Sequence, residues 1–74
     1  MKVLNVNKLR GKIVENGLST GELAKRIGVD RSTLYRKMNN NGDSLTIKEV
    51  RLISKELNLS HDEAMAIFFS SFVA

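Results

Sequence analysis

Apolar residues recur along most of the chain at intervals of three and four positions, which is the spacing of one face of an α-helix. The sets with this spacing are Leu9/Ile13, Leu23/Ile27, Leu34/Met38, Val50/Ile53/Leu57 and Ala64/Ile67/Phe68. Strict alternation of apolar and polar positions, which would indicate strands, is scarce, and the chain contains no proline. The pattern therefore predicts an all-α fold of about five helices, over residues 7–16, 20–27, 31–38, 47–57 and 61–69.

Three of the predicted helices begin with the same short motif, a Ser or Thr followed three positions later by Glu. The pairs are Ser19 with Glu22, Thr46 with Glu49, and Ser60 with Glu63. In such a capping box the hydroxyl accepts a hydrogen bond from the third helical N–H, and the glutamate accepts one from the N–H of the capping residue. Asp30 takes the same place before the third predicted helix, with Thr33 where the glutamate would stand.

Glycine and asparagine mark the predicted helix ends. Gly17, Gly28 and Asn58 each follow a periodic apolar segment, and the run "NNNGD" at 39–43 ends the third helix. The only β structure that the sequence suggests is a short terminal ribbon pairing "KVLNV" (2–6) with "SFVA" (71–74).

The composition is that of a small globular domain. Its 74 residues provide one core, and 42% hydrophobic with 27% charged residues argue against disorder. The absence of cysteine rules out disulfides and thiolate metal sites and is typical of a reducing cytosol. The N-terminal residues lack the apolar run of a signal peptide, and the apolar segment 64–74 is shorter than the ~20 residues that span a bilayer. We therefore expect one soluble, cytoplasmic domain over residues 1–74, with no membrane partner.

Positive charge is concentrated in the first part of the chain. The net charge is +4, and residues 1–42 carry nine Lys or Arg against three acidic residues, whereas residues 43–74 carry three against five. Such a distribution favours a surface that meets a polyanion. A solvated basic face would account for the charge alone equally well.

Residues 20–38 combine the features of a helix-turn-helix. Ala24 is a small residue where two crossing helices must approach, and Gly28 lies where a tight turn needs a positive φ. The apolar residues spaced to bury one shared face are Leu23, Ile27, Val29 and Leu34. This coincidence over about twenty residues predicts two helices that cross at a short turn.

The third predicted helix carries an unusual outer surface for so small a chain. With Leu34 and Met38 pointing inward, Ser32 and Arg36 face outward, and Arg31 and Lys37 lie at the boundary, with stems long enough to swing outward. Guanidinium and hydroxyl groups can bind base edges in a major groove. The predicted base contacts are Arg31, Ser32, Thr33, Tyr35 and Arg36. The pattern does not decide which of Arg31 and Lys37 faces the groove.

Phosphate contacts are predicted around this helix. The amides that open the second helix form an anion site through their geometry and the helix dipole. The predicted phosphate contacts are Thr20, Gly21, Lys25, Lys37, Asn39, Asn40 and Asn41. A flexible turn would explain residues 39–41 nearly as well.

The segment "LSTGELAKRIGVDRSTLYRKM" (18–38) resembles the Cro/repressor, or lambda-repressor-like, helix-turn-helix family of phage and bacterial regulators. The segment "SLTIKEVRLISKELNLSHDEAMAIFF" (44–69) is similar to that family's fourth and fifth helices, so the resemblance covers residues 5 to about 69. It implies a compact five-helix domain and a homodimer that binds double-stranded DNA at a pseudo-palindromic operator. The positions that it implies for DNA contact are Thr20, Arg31, Ser32, Thr33 and Arg36.

Three positions depart from the family pattern. Lys37 stands where relatives normally have an apolar residue. Ile13 and Met38 stand where many relatives pair an arginine with a glutamate, and an apolar contact can replace a buried ion pair without loss of stability.

The C-terminal segment holds more large apolar residues than one helical stripe can bury. We expect the surplus to form a dimer contact, and the predicted interface residues are Phe68, Phe69, Phe72 and Val73. The alternative is that this segment folds back over the chain's own core, against Val3 and Val6.

Other functions fit the sequence less well. His61 has no cysteine or partnered carboxylate at the spacing of a metal site or catalytic triad, so we expect no enzyme, and no cofactor or small-molecule ligand is evident. An interaction module, acting as an antirepressor or antitoxin through the Phe-rich tail, is the main rival. RNA binding is disfavoured because Tyr35 is the one aromatic side chain expected to be exposed for base stacking.

Overall fold

The computed structural model describes residues 4–40 and 44–69. These residues form five helices: α1 (Val6–Glu15), α2 (Thr20–Ile27), α3 (Arg31–Asn39), α4 (Ile47–Glu56) and α5 (His61–Phe68). The predicted all-α architecture is confirmed. The bounds of α2 are those predicted, and the other four helices differ from prediction by one residue at one or both ends.

Side-chain caps start every helix. The three predicted capping boxes are formed at α2, α4 and α5. In the first, the Glu22 N–H donates to Ser19 Oγ over 3.1 Å while the Ser19 N–H donates to Glu22 Oε1 over 3.0 Å. Asn5 caps α1 and Asp30 caps α3 through their side-chain oxygens. Each cap satisfies a backbone N–H that the helix itself leaves without a partner.

Three helices end in the same left-handed turn. Gly17, Gly28 and Asn58 have φ values of 73°, 80° and 57°. The residue that follows each of them donates its N–H to a carbonyl five residues earlier, as Val29 does to Ala24 over 3.0 Å. This is the Schellman arrangement, and the residues that follow (Leu18, Val29 and Leu59) pack against the core as the motif requires.

Helix α2 lies at the centre of the fold. It packs against α1, α3 and α4, while α5 packs against α1. Ala24 and Leu23 on α2 are fully buried, and Asn5, just before α1, donates its N–H to the Ile67 carbonyl of α5 over 2.7 Å. The buried core residues are Leu4, Leu9, Ile13, Leu23, Ala24, Ile27, Leu34, Met38, Ile53, Leu57, Ile67 and Phe68.

Two predictions for the termini are corrected. Within "KVLNV", the described residues 4–6 hold the α1 cap and the first residue of α1, so they form no strand, and "SFVA" lies outside the described residues. Phe68 is 5% exposed and belongs to the chain's own core, so it is not available as a dimer contact. Phe69 is partly buried against the same core, while Phe72 and Val73 lie outside the described residues.

Across the two described ranges, no helix combines the length and apolar character that crossing a lipid bilayer requires.

Candidate nucleic-acid interface

A tight connection holds α2 and α3 together. Gly28 ends α2 in the left-handed conformation, and Asp30 already caps α3. Leu34 and Met38 are each 1% exposed, so one side of α3 is fixed in the core. The opposite side of α3 is therefore presented to solvent by the packing itself.

That outer side of α3 forms one shallow, open surface, which is named the outer groove. Its positions repeat at intervals of about one turn, which places them in two adjacent rows along the helix. The residues that line it are Arg31, Ser32, Tyr35, Arg36, Asn39 and Asn40. Four of the five residues predicted to contact bases thus share one surface. Thr33 is partly buried and does not line the groove, whereas Asn39 and Asn40, assigned from sequence to phosphate, do line it.

Arg31 joins this groove to the start of α2. A Cβ atom placed on Gly21 would lie 2.7 Å from Arg31 Cδ, so the arginine stem crosses directly over the glycine. Gly21 thereby makes room for the close approach of this side chain. Because Arg31 also lines the groove, it is the boundary residue that faces outward. No local sequence pattern predicts this contact, because Gly21 and Arg31 lie on different helices.

Lys37 points elsewhere, which corrects the expectation that its stem swings outward to phosphate. Its ammonium donates hydrogen bonds to both carboxylate oxygens of Glu49 on α4, over 2.9 and 2.8 Å. The two side chains are only 15% and 12% exposed. A paired and largely covered ammonium is stabilised where it is, so Lys37 is not part of the outer face.

Glu49 is the one buried charged residue in the described part of the chain. Burial of its carboxyl group opposes ionisation, but the hydrogen bonds from Lys37 and Thr46 outweigh it and lower the pKa of Glu49 below its ordinary value. The capping motif predicts the role of Glu49 at the start of α4 but not its second role, the contact with Lys37. The partner lies twelve positions earlier on another helix, and no periodicity connects the two.

The hydroxyl of Ser32 is hydrogen-bonded at the start of α3. It donates a hydrogen bond to the Asp30 carboxylate, which also accepts the Ser32 backbone N–H over 3.2 Å. These hydrogen bonds lower the pKa of Asp30. With its proton committed to Asp30, the Ser32 oxygen presents acceptor lone pairs to the groove.

Exposed positive charge and helix-start N–H donors are found on both α2 and α3. Arg31, Arg36 and Lys25 are exposed, and Thr20 and Gly21 occupy the first turn of α2. In the first turn of α2 the Glu22 N–H is bonded to Ser19 Oγ, whereas the N–H groups of Thr20 and Gly21 have no carbonyl partner within the helix and can bind an anion. Asn41, the remaining predicted phosphate contact, lies outside the described residues.

The single histidine of the chain, His61, is not among the residues of the outer groove. His61 is exposed at the start of α5, and within residues 4–40 and 44–69 no group of His, Cys, Asp and Glu side chains could hold a metal ion.

A five-helix bundle whose second and third helices meet at a tight turn, with a basic and polar outer face on the third, defines the helix-turn-helix class. A protein-family model described as "Helix-turn-helix" matches residues 9–63, which is most of the chain. The chain belongs to this Cro/repressor-type helix-turn-helix family, and its general role is that of a DNA-binding regulator. Searches of curated proteins and of solved structures find no significant match.

Proposed function

We propose that this protein is a sequence-specific transcriptional regulator that inserts α3 into the major groove of double-stranded DNA. The observation that carries the proposal is the groove on the outer side of α3, with two guanidinium groups, a hydroxyl, a phenol and two amides on one exposed surface. An α-helix fits the major groove, and these groups match the donors and acceptors that base pairs present there.

Each groove residue has a role that its chemistry suggests. Arg36 and Arg31 can each pair with O6 and N7 of a guanine. Ser32, whose proton is held by Asp30, is suited to accept a hydrogen bond from an adenine or cytosine amino group. Tyr35, 43% exposed, offers its hydroxyl and ring edge to a base or phosphate.

Phosphate contacts would fix the orientation of the domain on the duplex. The first-turn amides at Thr20 and Gly21, the ammonium of Lys25 and the amides of Asn39 and Asn40 are the groups that support this role. Lys37 is left out because its ammonium is paired with Glu49.

We further propose a homodimer on a pseudo-palindromic operator. One chain presents one such helix, and the longest dimension of the molecule is 32 Å. Successive major-groove segments on one side of DNA are about 34 Å apart, so a site that spans both segments would be bound by two chains. A two-fold pair of chains would require an inverted-repeat site.

The test is selection of bound duplexes from a random-sequence pool with the full chain. We expect enrichment of an inverted repeat, with log K on that site falling linearly with log salt concentration by about 0.9 for each phosphate neutralised. Binding without any enriched sequence would refute sequence specificity. No binding at all would favour the protein-interaction module.

A further inference from the structure

The pair formed by Lys37 and Glu49 is the only side-chain hydrogen-bonded link between α3 and another helix among residues 4–40 and 44–69. Helix α3 otherwise rests on the core through apolar side chains such as Leu34 and Met38. Apolar packing is non-directional, so burial of Leu34 and Met38 fixes the side of α3 that faces the core but defines the exact rotation of the helix about its axis less finely. Hydrogen bonds to a charged pair are directional and can set that rotation.

The acceptor end of the link is itself held in place. Glu49 Oε1 also accepts the backbone N–H of Thr46 over 2.9 Å, as part of the capping box that starts α4. Helix α4 is anchored in the core by Ile53, which is fully buried, and it packs against α2. The Lys37 ammonium is therefore attached to a fixed point on the scaffold and not to another mobile side chain.

The link acts immediately beside the outer groove. Lys37 follows Arg36 directly in the chain, and Arg36 lines the groove. A helix rotates as one unit, so any roll of α3 that Lys37 resists would also move Arg36 relative to a bound base. Bidentate contacts to bases tolerate little such displacement.

We propose that Lys37 and Glu49 are positioning residues that set the roll of α3, so that they determine operator preference without Lys37 touching DNA. This inference rests on the proposed function, since it concerns the same interface. It contrasts with a phosphate contact, in which Lys37 would leave Glu49 and neutralise the DNA backbone.

The variants are chosen to remove charge while keeping shape. Lys37→Met keeps the buried stem, and Glu49→Gln keeps a side chain that still completes the capping box with Thr46. Lys37→Arg retains a cation that can bind both carboxylate oxygens. Lys25→Met is the matched control, because Lys25 is exposed on α2 and is proposed as a phosphate contact.

The measurement is affinity for the duplex selected by the wild-type protein and for a random-sequence duplex of equal length, each over a range of salt concentrations. Amide NMR spectra establish that each variant is folded. We expect Lys37→Met to lower the preference for the selected duplex about tenfold, the equivalent of one base contact, with the salt slope unchanged. Lys25→Met should instead lower the slope by about one and weaken both duplexes alike.

The remaining variants test whether the pair acts as a unit. Lys37→Arg should keep most of the preference, and Lys37→Met with Glu49→Gln should lose no more than the larger single loss, because both changes break the same link. A preference unchanged by Lys37→Met would overturn the inference, as would an equal loss on both duplexes. A wild-type protein without any preference would refute the proposed function and this inference together, so the two failures are distinguishable.

Discussion

Arg36 and Lys37 are adjacent and both positively charged, but their side chains lie in different surroundings. Arg36 is exposed in the outer groove, whereas the ammonium of Lys37 is covered and bound to Glu49. Successive helical residues point about 100° apart, so one position faces solvent while the next faces the neighbouring helix. A guanidinium suits the outer position because its planar fork can hold two acceptors of one base, which an ammonium cannot.

Replacement of Arg36 tests its role in contacting bases. We expect Arg36→Ala to weaken binding to the selected duplex by ~1–3 kcal/mol and to blur the sequence preference at one base pair, because a bidentate contact is lost. Competition binding between the selected duplex and its single-base variants measures both effects. Arg36→Lys is the control for charge, and we expect it to keep the salt slope but lose the preference. Equal losses on all duplexes would make Arg36 a phosphate contact.

At the scale of the element, the connection between α2 and α3 depends on backbone conformation more than on side-chain contacts. Gly28 has φ 80° and joins helices that must meet at one angle for the groove to form. Space is not the constraint there, since a Cβ on Gly28 would have no atom within 4 Å. The constraint is conformational, because the left-handed region is costly for any residue with a Cβ.

Two glycine-to-alanine changes should therefore have opposite effects on stability. Gly28→Ala is expected to lower the free energy of unfolding by ~1–2 kcal/mol, the cost of placing alanine in the left-handed region. Gly11→Ala, in the middle of α1 with open space around its Cβ, is expected to raise it by ~0.8–1 kcal/mol through higher helix propensity. Urea unfolding followed by circular dichroism measures both. Equal effects of the two changes would exclude the conformational explanation.

Features within single helices could be predicted from the sequence, whereas contacts between helices could not. Capping boxes, left-handed ends and the inward side of each helix are set by residues within about five positions of one another, and the structure confirms these predictions. The direction of Lys37, the crossing of Arg31 over Gly21 and the burial of Phe68 depend on contacts between helices. Helical periodicity carries no information about which partner a boundary residue meets across the fold.

At the scale of the whole molecule, an ion pair connects helices α1 and α5. Lys12 on α1 forms ion pairs with Glu15 on the same helix and with Glu63 at the start of α5. The hydrogen bond from Lys12, with that from the Ser60 backbone, lowers the pKa of Glu63 to about 2, and the bond to Glu63 is the main cause that raises the pKa of Lys12. Both partners are solvent-accessible, so added salt should weaken the pair.

This ion pair predicts a specific decrease in the free energy of unfolding as the pH becomes acidic. A carboxyl group whose pKa is lower in the folded state stabilises that state fully above its ordinary pKa of 4.5 and loses this contribution as pH falls toward about 2. Glu63→Gln keeps the capping box but removes the charge. We expect its urea midpoint to lie below that of the wild type at neutral pH and to converge with it between pH 4.5 and 2.

The control for this pH dependence is Glu22→Gln. Glu22 completes the capping box of α2 in the same way, and within the described ranges it forms no ion pair. Its difference from the wild type should therefore change less over that pH interval. If the two variants show the same pH dependence, the effect belongs to helix capping and not to the pair with Lys12.

The dimer is the prediction that concerns more than one chain. In the proposed complex a single α3 would contact one half-site, so two chains joined by a two-fold axis would gain affinity from the second half-site. With Phe68 inside the core, Phe69 is the described residue of the predicted interface that remains partly exposed. We expect light scattering to give twice the chain mass of 8.3 kDa for the wild type, and Phe69→Ser to shift the population toward monomer.

Val14→Ser is the matched control, because Val14 is 72% exposed and not part of the proposed interface. A wild-type protein that is monomeric both free and on the selected duplex would exclude the dimer, and the enriched site should then be a single half-site with no inverted copy.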